Sequence, residues 1–362
     1  MATKGGLSDL LNDVVTKYIL FHLEGPPRVE EQDDKIDHVD LSEGLVRVIE
    51  KIPNLNEEIL AIDGSSRSFV FSQGLVSVSS VSVISSSKGI IGMFPSFNPN
   101  MSLGLNEPFI AIATPFNGPE RIEDFLLHPA ISRTSIDGTN FHGDFSRLET
   151  ELRFSLETEC LEKVRQSPLV LIDGPLMPRF LYLNKKVADK LLEKRNSLLQ
   201  KNFLGVVKRV NNSTVLLNSL RYEDSRKLSL KYGVNPYSFS NDEAFLIHLM
   251  NKNFKPPFKP IVVGPLLRNE RGREIISNYV VIPFHPFLAK FSVLRTESLT
   301  NELNPEIILS MPISKDGIPV PLAFADKVAK EVSNAVFSLL IQELISRGVQ
   351  SSFYSRLEGM GT

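Results

Sequence analysis

The stretch Leu60-Ala61-Ile62-Asp63-Gly64-Ser65-Ser66-Arg67 is an apolar run that ends on an aspartate and then breaks into small residues. Apolar or small residues ahead of the carboxylate suit a buried strand, and Gly64 and Ser65 leave the backbone open to a metal ion or a phosphate. Alone, Asp63 could equally cap a turn. A second copy tips the reading. Leu169-Val170-Leu171-Ile172-Asp173-Gly174-Pro175-Leu176 repeats the pattern of apolar strand, aspartate, glycine. Two neighbouring strands that each present a carboxylate at the same kind of end supply what a divalent-metal site needs.

Bulk properties restrict the function classes. With 362 residues and 42% hydrophobic content the chain can bury a full core, as one large domain or two modest ones. No uninterrupted apolar segment reaches the roughly 18 to 20 residues that cross a bilayer, and Met1 to Asp13 lacks a basic region followed by an apolar core, so a cytoplasmic location without membrane contact is expected. The single cysteine, Cys160, excludes an intramolecular disulfide and a thiolate zinc site. A formal net charge of -2 gives no global sign of nucleic-acid binding, yet between Lys185 and Lys231 twelve Lys/Arg stand against four Asp/Glu.

Along the chain, periodicity predicts a helix over Leu7 to Leu23, an exposed acidic connector over Glu30 to Asp40 and another helix over Leu41 to Ile52. Apolar residues alternate with serine from Leu75 to Ile84, the pattern of a strand with one wet face. Further strands follow at Ile90 to Phe94 and Pro108 to Ala113, giving an antiparallel meander after the Asp63 strand. Phe145 to Val164 reads as a helix with Asp144 as N-cap and a stripe at 145, 148, 152, 156 and 160. Glu149 falls inside that stripe and Glu151 on its rim, and a carboxylate facing a core needs a cation or several donors. Beyond the Asp173 strand come a basic helix over Val187 to Gln200, a strand over Phe203 to Arg209, a helix over Asp242 to Met250, strands at Val280 to Phe284 and Ser292 to Arg295, and a helix over Ala323 to Arg347 carrying Asp326. The expected division is an N-terminal helical extension with an acidic connector over 1–50 and a main domain over 51–362 with a helical, basic insertion around 180–290.

The resulting order is a strand with Asp63, two or more strands, a helix with Glu149 or Glu151, a strand with Asp173, and a C-terminal helix with Asp326. This α/β layout is that of the ribonuclease H-like nuclease fold, a mixed sheet flanked by helices whose acidic groups hold two metal ions. Such a pair activates water and stabilises the leaving oxygen in phosphodiester cleavage. All-oxygen ligands, with Asp63, Glu149 and Asp173 as the set, point to Mn²⁺ or Mg²⁺. A Gly-rich phosphate loop of the GxxxxGK[ST] kind and a GxSxG elbow are both absent from the sequence, so nucleotide hydrolysis and Ser-hydrolase chemistry have no sequence support.

Several segments resemble the NurA family, archaeal and bacterial nucleases that work with the ring-shaped HerA translocase. They are Ile62-Asp63-Gly64-Ser65, Arg147 to Glu151, Leu171 to Leu176, Leu204-Gly205-Val206-Val207-Lys208-Arg209, Asn241 to Leu246, Val293 to Glu297 and Gly317 to Leu322. The resemblance implies a homodimer, Mn²⁺-dependent single-stranded endonuclease and 5′-to-3′ exonuclease activity on DNA in end resection and repair, and a hexameric HerA-type ATPase as partner. Two positions depart from the family pattern: Ile318 stands where a tyrosine is usual and Asp326 where a histidine is usual. A NurA-like subunit that binds DNA without cutting it is therefore the alternative, and a small-molecule phosphoesterase a more distant one. Arg67, Lys208, Arg209 and Arg295 are the expected DNA contacts, Arg295 also being placed to pair with Glu297. His285 is a candidate substitute for the usual histidine, although in its aromatic-proline segment it reads more readily as structural.

Overall fold

The computed structural model describes residues 45–54, 57–71, 74–113, 129–132, 145–178, 180, 183, 185–220 and 222–349. The helix expected over Leu7 to Leu23, the acidic connector and the Asp144 cap lie outside these described residues.

The strands are β1 (Val46–Val48), β2 (Ile59–Phe71), β3 (Gly74–Ser85), β4 (Gly89–Phe94), β5 (Ile110–Ala113), β6 (Leu169–Asp173), β7 (Phe203–Val207), β8 (Ile261–Glu270), β9 (Arg273–His285) and β10 (Leu288–Ser298). The helices are α1 (Phe145–Val164), α2 (Lys185–Leu198), α3 (Val215–Ser219), α4 (Tyr222–Tyr232), α5 (Asp242–Asn253) and α6 (Val320–Ser346). All ten strands join one mixed sheet in the order β1-β8-β9-β10-β7-β6-β2-β3-β4, with β5 on β3. In its β4-β3-β2-β6-β7 half, the meander β2-β3-β4 is antiparallel while β6 and β7 run parallel to β2. That is the strand arrangement of a ribonuclease H-like α/β fold.

Helices cover both faces. On one, Ala61, Leu169, Leu171, Leu204 and Val206 pack against Leu322, Ala325, Val328 and Val332 of α6. On the other, Leu60, Ile62, Val170, Ile172 and Phe203 pack against Leu156, Cys160 and Leu161 of α1 and Leu192 of α2. The β8–β10 part buries Val263, Tyr279, Val281 and Val293 against α3, α4 and α5. Packing, not capping, sets where α6 begins: its first turn has no side-chain cap. A missing cap forgoes about 1 kcal/mol, which is less than burying Leu322 alone contributes at about 1.5–3 kcal/mol.

Two expectations are corrected. The segment expected to form a helix over Leu41 to Ile52 contributes β1 instead, because Val46 to Val48 pair antiparallel with the edge of β8. Also, β3 has no wet face, since all twelve of its residues are buried. The serine alternation changes phase at Ser79-Ser80: Ser77 and Ser79 share a face with Leu75 towards α1, whereas Ser80 and Ser82 face α6. Ser80 and Ser82 donate to the α6 carbonyls of Ala329 (2.6 Å) and Ala325 (2.8 Å). Small hydroxyls thus let the helix lie close to the sheet with polar groups satisfied.

Candidate active site

Alternation along the strands decides which side chains meet. Ile59 and Ala61 face α6, so Asp63 does too; Leu169 and Leu171 put Asp173 on that side, and Leu204 and Val206 put Lys208 there. Because β2, β6 and β7 are parallel, the three arrive at one level of the sheet, where β6 and β7 end. Strand β2, expected to end at Asp63, runs on to Phe71 because β3 continues to pair with it, and the second turn of α6 adds Asp326. Lys208 Nζ lies 3.4 Å from Asp63 Oδ2, 3.1 Å from Asp173 Oδ2 and 3.4 Å from Asp326 Oδ1. Three carboxylates from distant parts of the chain therefore surround one ammonium.

Their electrostatics differ. Asp63 is 3% exposed, and burial together with the Asp173 charge pushes its carboxyl well above the usual carboxylate range despite Lys208. Burial disfavours charge on Asp326 too, but hydrogen bonds from Lys330 (2.8 Å) and Lys208 hold its carboxyl below that range. Burial works against the charge on Lys208, yet Asp173 and Asp63 raise it above its ordinary value.

A fourth carboxylate reaches this level from the opposite face. A Cβ on Gly64 would lie 2.6 Å from Glu157 Oε1, so glycine is what lets this α1 side chain approach β2. Glu157 is buried, and burial lifts its carboxyl although Arg153 (3.7 Å) and Arg195 (3.8 Å) stand nearby. These groups open onto one cleft of about 700 Å³.

Of the residues anticipated from sequence, Asp63, Asp173, Asp326, Glu149, Arg67, Lys208 and Arg209 all line this cleft. Glu151 does not line it. Arg67 Nε donates to Asn334 Oδ1 at 2.7 Å, and Arg209 is exposed. Arg295 is buried away from the cleft, 3.1 Å from Glu297 and donating to Ser213 at 2.9 Å, which realises its internal pairing. The basic stretch is partly consumed inside the fold: Lys194 bridges Glu107 (2.6 Å) and Glu159 (2.7 Å), and Arg195 is 1% exposed. Ile318 is buried in the core under α6. His285 sits exposed in the β9–β10 hairpin.

Glu157 was not anticipated, nor were the cleft cations Arg153 and Lys330. Their signal was present as helical i,i+4 spacing, in Glu149-Arg153-Glu157 and in Asp326-Lys330.

The donors suit a hard divalent cation in chemistry: they are all carboxylate oxygens, and Asp173 Oδ1 is buried without a hydrogen-bond partner. Among the described residues, no group of three His, Cys, Asp or Glu is drawn around a point that could hold an ion. The Lys208 ammonium stands between the aspartates instead.

The sequence matches the NurA domain family over residues 57–331, well over half of the chain. The chain belongs to the NurA family. The match begins just before β2 and ends within α6, so it spans every element that supplies a carboxylate to the cleft. Among solved NurA structures, the NurA nuclease from Sulfolobus solfataricus is similar at 14% identity, over 83% of this chain and 88% of that one, with a TM-score of 0.48. NurA bound to dAMP and manganese is similar at 10% identity, over 88% and 90% of the two chains, with a TM-score of 0.38. The sequence has no significant match among curated proteins. No helix among the described residues is long and apolar enough to cross a membrane.

Proposed function

We propose that this protein is a metal-dependent DNA nuclease, with Asp63, Asp173, Glu157 and Asp326 as the acidic centre. The carrying observation is the convergence of aspartates from β2, β6 and α6 on Lys208 Nζ, where β6 and β7 end beside β2. Membership of the NurA family supports a nuclease independently of that geometry.

Asp63 and Asp173, with Asp326 and Glu157 beside them, would hold Mn²⁺ or Mg²⁺, one ion or two. The bound metal supplies a Lewis acid and an activated water for phosphodiester hydrolysis. The chain's own residues do the rest. Arg67, Arg153, Arg209 and Lys330 line the cleft and seat the phosphates, and Glu149, expected from sequence as a metal ligand, lines the same wall. The proposal extends, on the family resemblance, to single-stranded endonuclease and 5′-to-3′ exonuclease activity in DNA end processing. It includes a homodimer, a HerA-type ATPase partner and a cytoplasmic location, with residues 51–362 as the nuclease unit.

Incubation of end-labelled single-stranded DNA with the protein and Mn²⁺ tests this. Wild type is expected to cut, while Asp63→Asn, Asp173→Asn and Glu157→Gln, with unchanged circular dichroism, lose at least roughly 100-fold in rate, a scale common to catalytic groups. Cleavage by the aspartate variants at the wild-type rate would overturn the mechanism. A second reading, a DNA-binding NurA subunit without catalysis, is favoured by Ile318 lying buried in the core where the family usually has tyrosine. Metal-dependent cutting by wild type excludes it.

A further inference from the structure

Asp173 is the last residue of β6, and the backbone behind it turns at once through Gly174, with φ of +86°, into Pro175 and Leu176. How firmly this turn is held determines how firmly the Asp173 carboxylate is aimed. Three contacts hold it. Gly174 N–H donates to Val206 O on β7 at 2.9 Å. Leu176 N–H donates to Glu297 Oε2 at 2.9 Å, and Leu176 C=O accepts from Arg195 Nε at 2.8 Å. Leu176, Glu297 and Arg195 are all essentially shielded from solvent.

The reach of Glu297 depends on one glycine. Glu297 pairs in register with Gly205 on β7, and a Cβ at Gly205 would lie 2.9 Å from Gly174 O and 3.0 Å from Leu176 N. The missing side chain lets the turn settle on β7, within range of the carboxylate one strand away. Glu297 is itself compensated by Arg295 at 3.1 Å and Arg268 at 3.4 Å. A buried ion cluster is a weak source of net stability, since desolvation offsets most of the attraction. An anion fixed there for one backbone amide, three residues after a site aspartate, has a positional use. Arg195 extends the same clamp to the opposite face, where it lies 3.8 Å from Glu157.

We propose that Glu297 and Arg195 are positioning residues for the acidic centre, gripping the N–H and the C=O of Leu176, seated over Gly205, so that Asp173 is presented at a fixed angle. This rests on the reading of Asp173 as a metal-holding carboxylate. Groups that orient ligands without touching the metal typically change affinity by roughly 10- to 100-fold.

Two variants of the full chain test it by calorimetric titration with Mn²⁺ and by hydrogen exchange of the Leu176 amide. Gly205→Ala pushes on the turn without changing any charge. Glu297→Asp keeps the charge beside Arg268 and Arg295 but shortens the reach to Leu176 N–H, so it is expected to fold where a neutral replacement could leave the arginines unpaired. Both are expected to weaken Mn²⁺ binding at least about tenfold and to speed Leu176 exchange. Metal-free binding of a labelled single strand should stay at the wild-type level, which a general loss of structure would not allow. Wild-type Mn²⁺ affinity in both variants overturns the inference. Asp173→Asn separates it from its premise. If that variant loses Mn²⁺ while Gly205→Ala and Glu297→Asp keep it, the carboxylate reading stands and the clamp falls. If Asp173→Asn, or wild type itself, shows that Asp173 has no part in binding Mn²⁺, both fall.

Discussion

Lys208 reverses its expected part. At the end of an apolar strand it reads as a phosphate contact, but in the fold its ammonium sits 3.1–3.4 Å from three aspartates and balances a centre that would otherwise be strongly negative. A divalent ion and this ammonium compete for the same oxygens. Lys208→Met is therefore expected to lower the thermal midpoint of the metal-free protein, by about 2 kcal/mol of stability, because removing one partner of a buried pair leaves the others uncompensated. Saturating Mn²⁺ should then raise the variant's midpoint by more than it raises that of wild type. An equal Mn²⁺ shift in the two proteins would show that Lys208 does not occupy the metal's place. The residue scale also shows what a sequence discloses. Asp63 and Asp173 were legible because apolar strand, aspartate and glycine form a local pattern. Glu157 was not, because its burial depends on Gly64 admitting it against β2 and on α2 alongside, whose Arg195 stacks 4.5 Å over the Phe154 ring. A single-helix stripe cannot register a second partner.

At the scale of elements, the order β2-β3-β4, α1, β6, α6 could be read in advance because each is long or strongly patterned, and α1 spans Phe145–Val164 as its periodicity predicts. The β8–β10 extension was read only in fragments: its strands pair with one another as an antiparallel meander, but its attachment to β1 and β7, distant in sequence, leaves no local pattern. The sharper lesson is β3. A serine-valine alternation was expected to mark solvent, yet Ser80 and Ser82 are both 0% exposed and hydrogen-bond to carbonyls of α6, the helix that carries Asp326. A truly exposed serine would accept valine within about 0.5 kcal/mol. Here the double variant Ser80→Val with Ser82→Val is expected to cost about 3 kcal/mol or more, from overpacking plus two lost hydrogen bonds, read as a lower denaturant midpoint. Ser82→Ala, which creates no overlap, should cost only about 1 kcal/mol. Because Ser82 pairs in register with Asp63, the double variant should also weaken Mn²⁺ binding by shifting Asp326 away from β2.

Over the whole molecule the charge distribution sets how a polyanion approaches. A formal net charge of -2 gives no general attraction, so binding must come from cations that remain available in the cleft. The sequence concentrates positive charge between Lys185 and Lys231, but folding divides that charge into two kinds. Lys194 is held by Glu107 and Glu159, whereas Arg209 is exposed and lines the cleft beside Arg67, Arg153 and Lys330. Composition could not make this division, because the acidic partners of Lys194 come from a loop near residue 107 and from α1. Each phosphate contact on a single strand contributes about -0.7 to the slope of log affinity against log salt concentration. Fluorescence anisotropy of a labelled single strand, measured without metal over a salt series, should thus give a slope no steeper than about -3. Arg209→Gln should make it shallower by about 0.7, the loss of one contact. Lys194→Gln should leave it unchanged, since that ammonium already serves the contact between α1 and α2. A slope that drops equally in both variants would mean that the strand runs over the outer surface of α2 and not through the cleft.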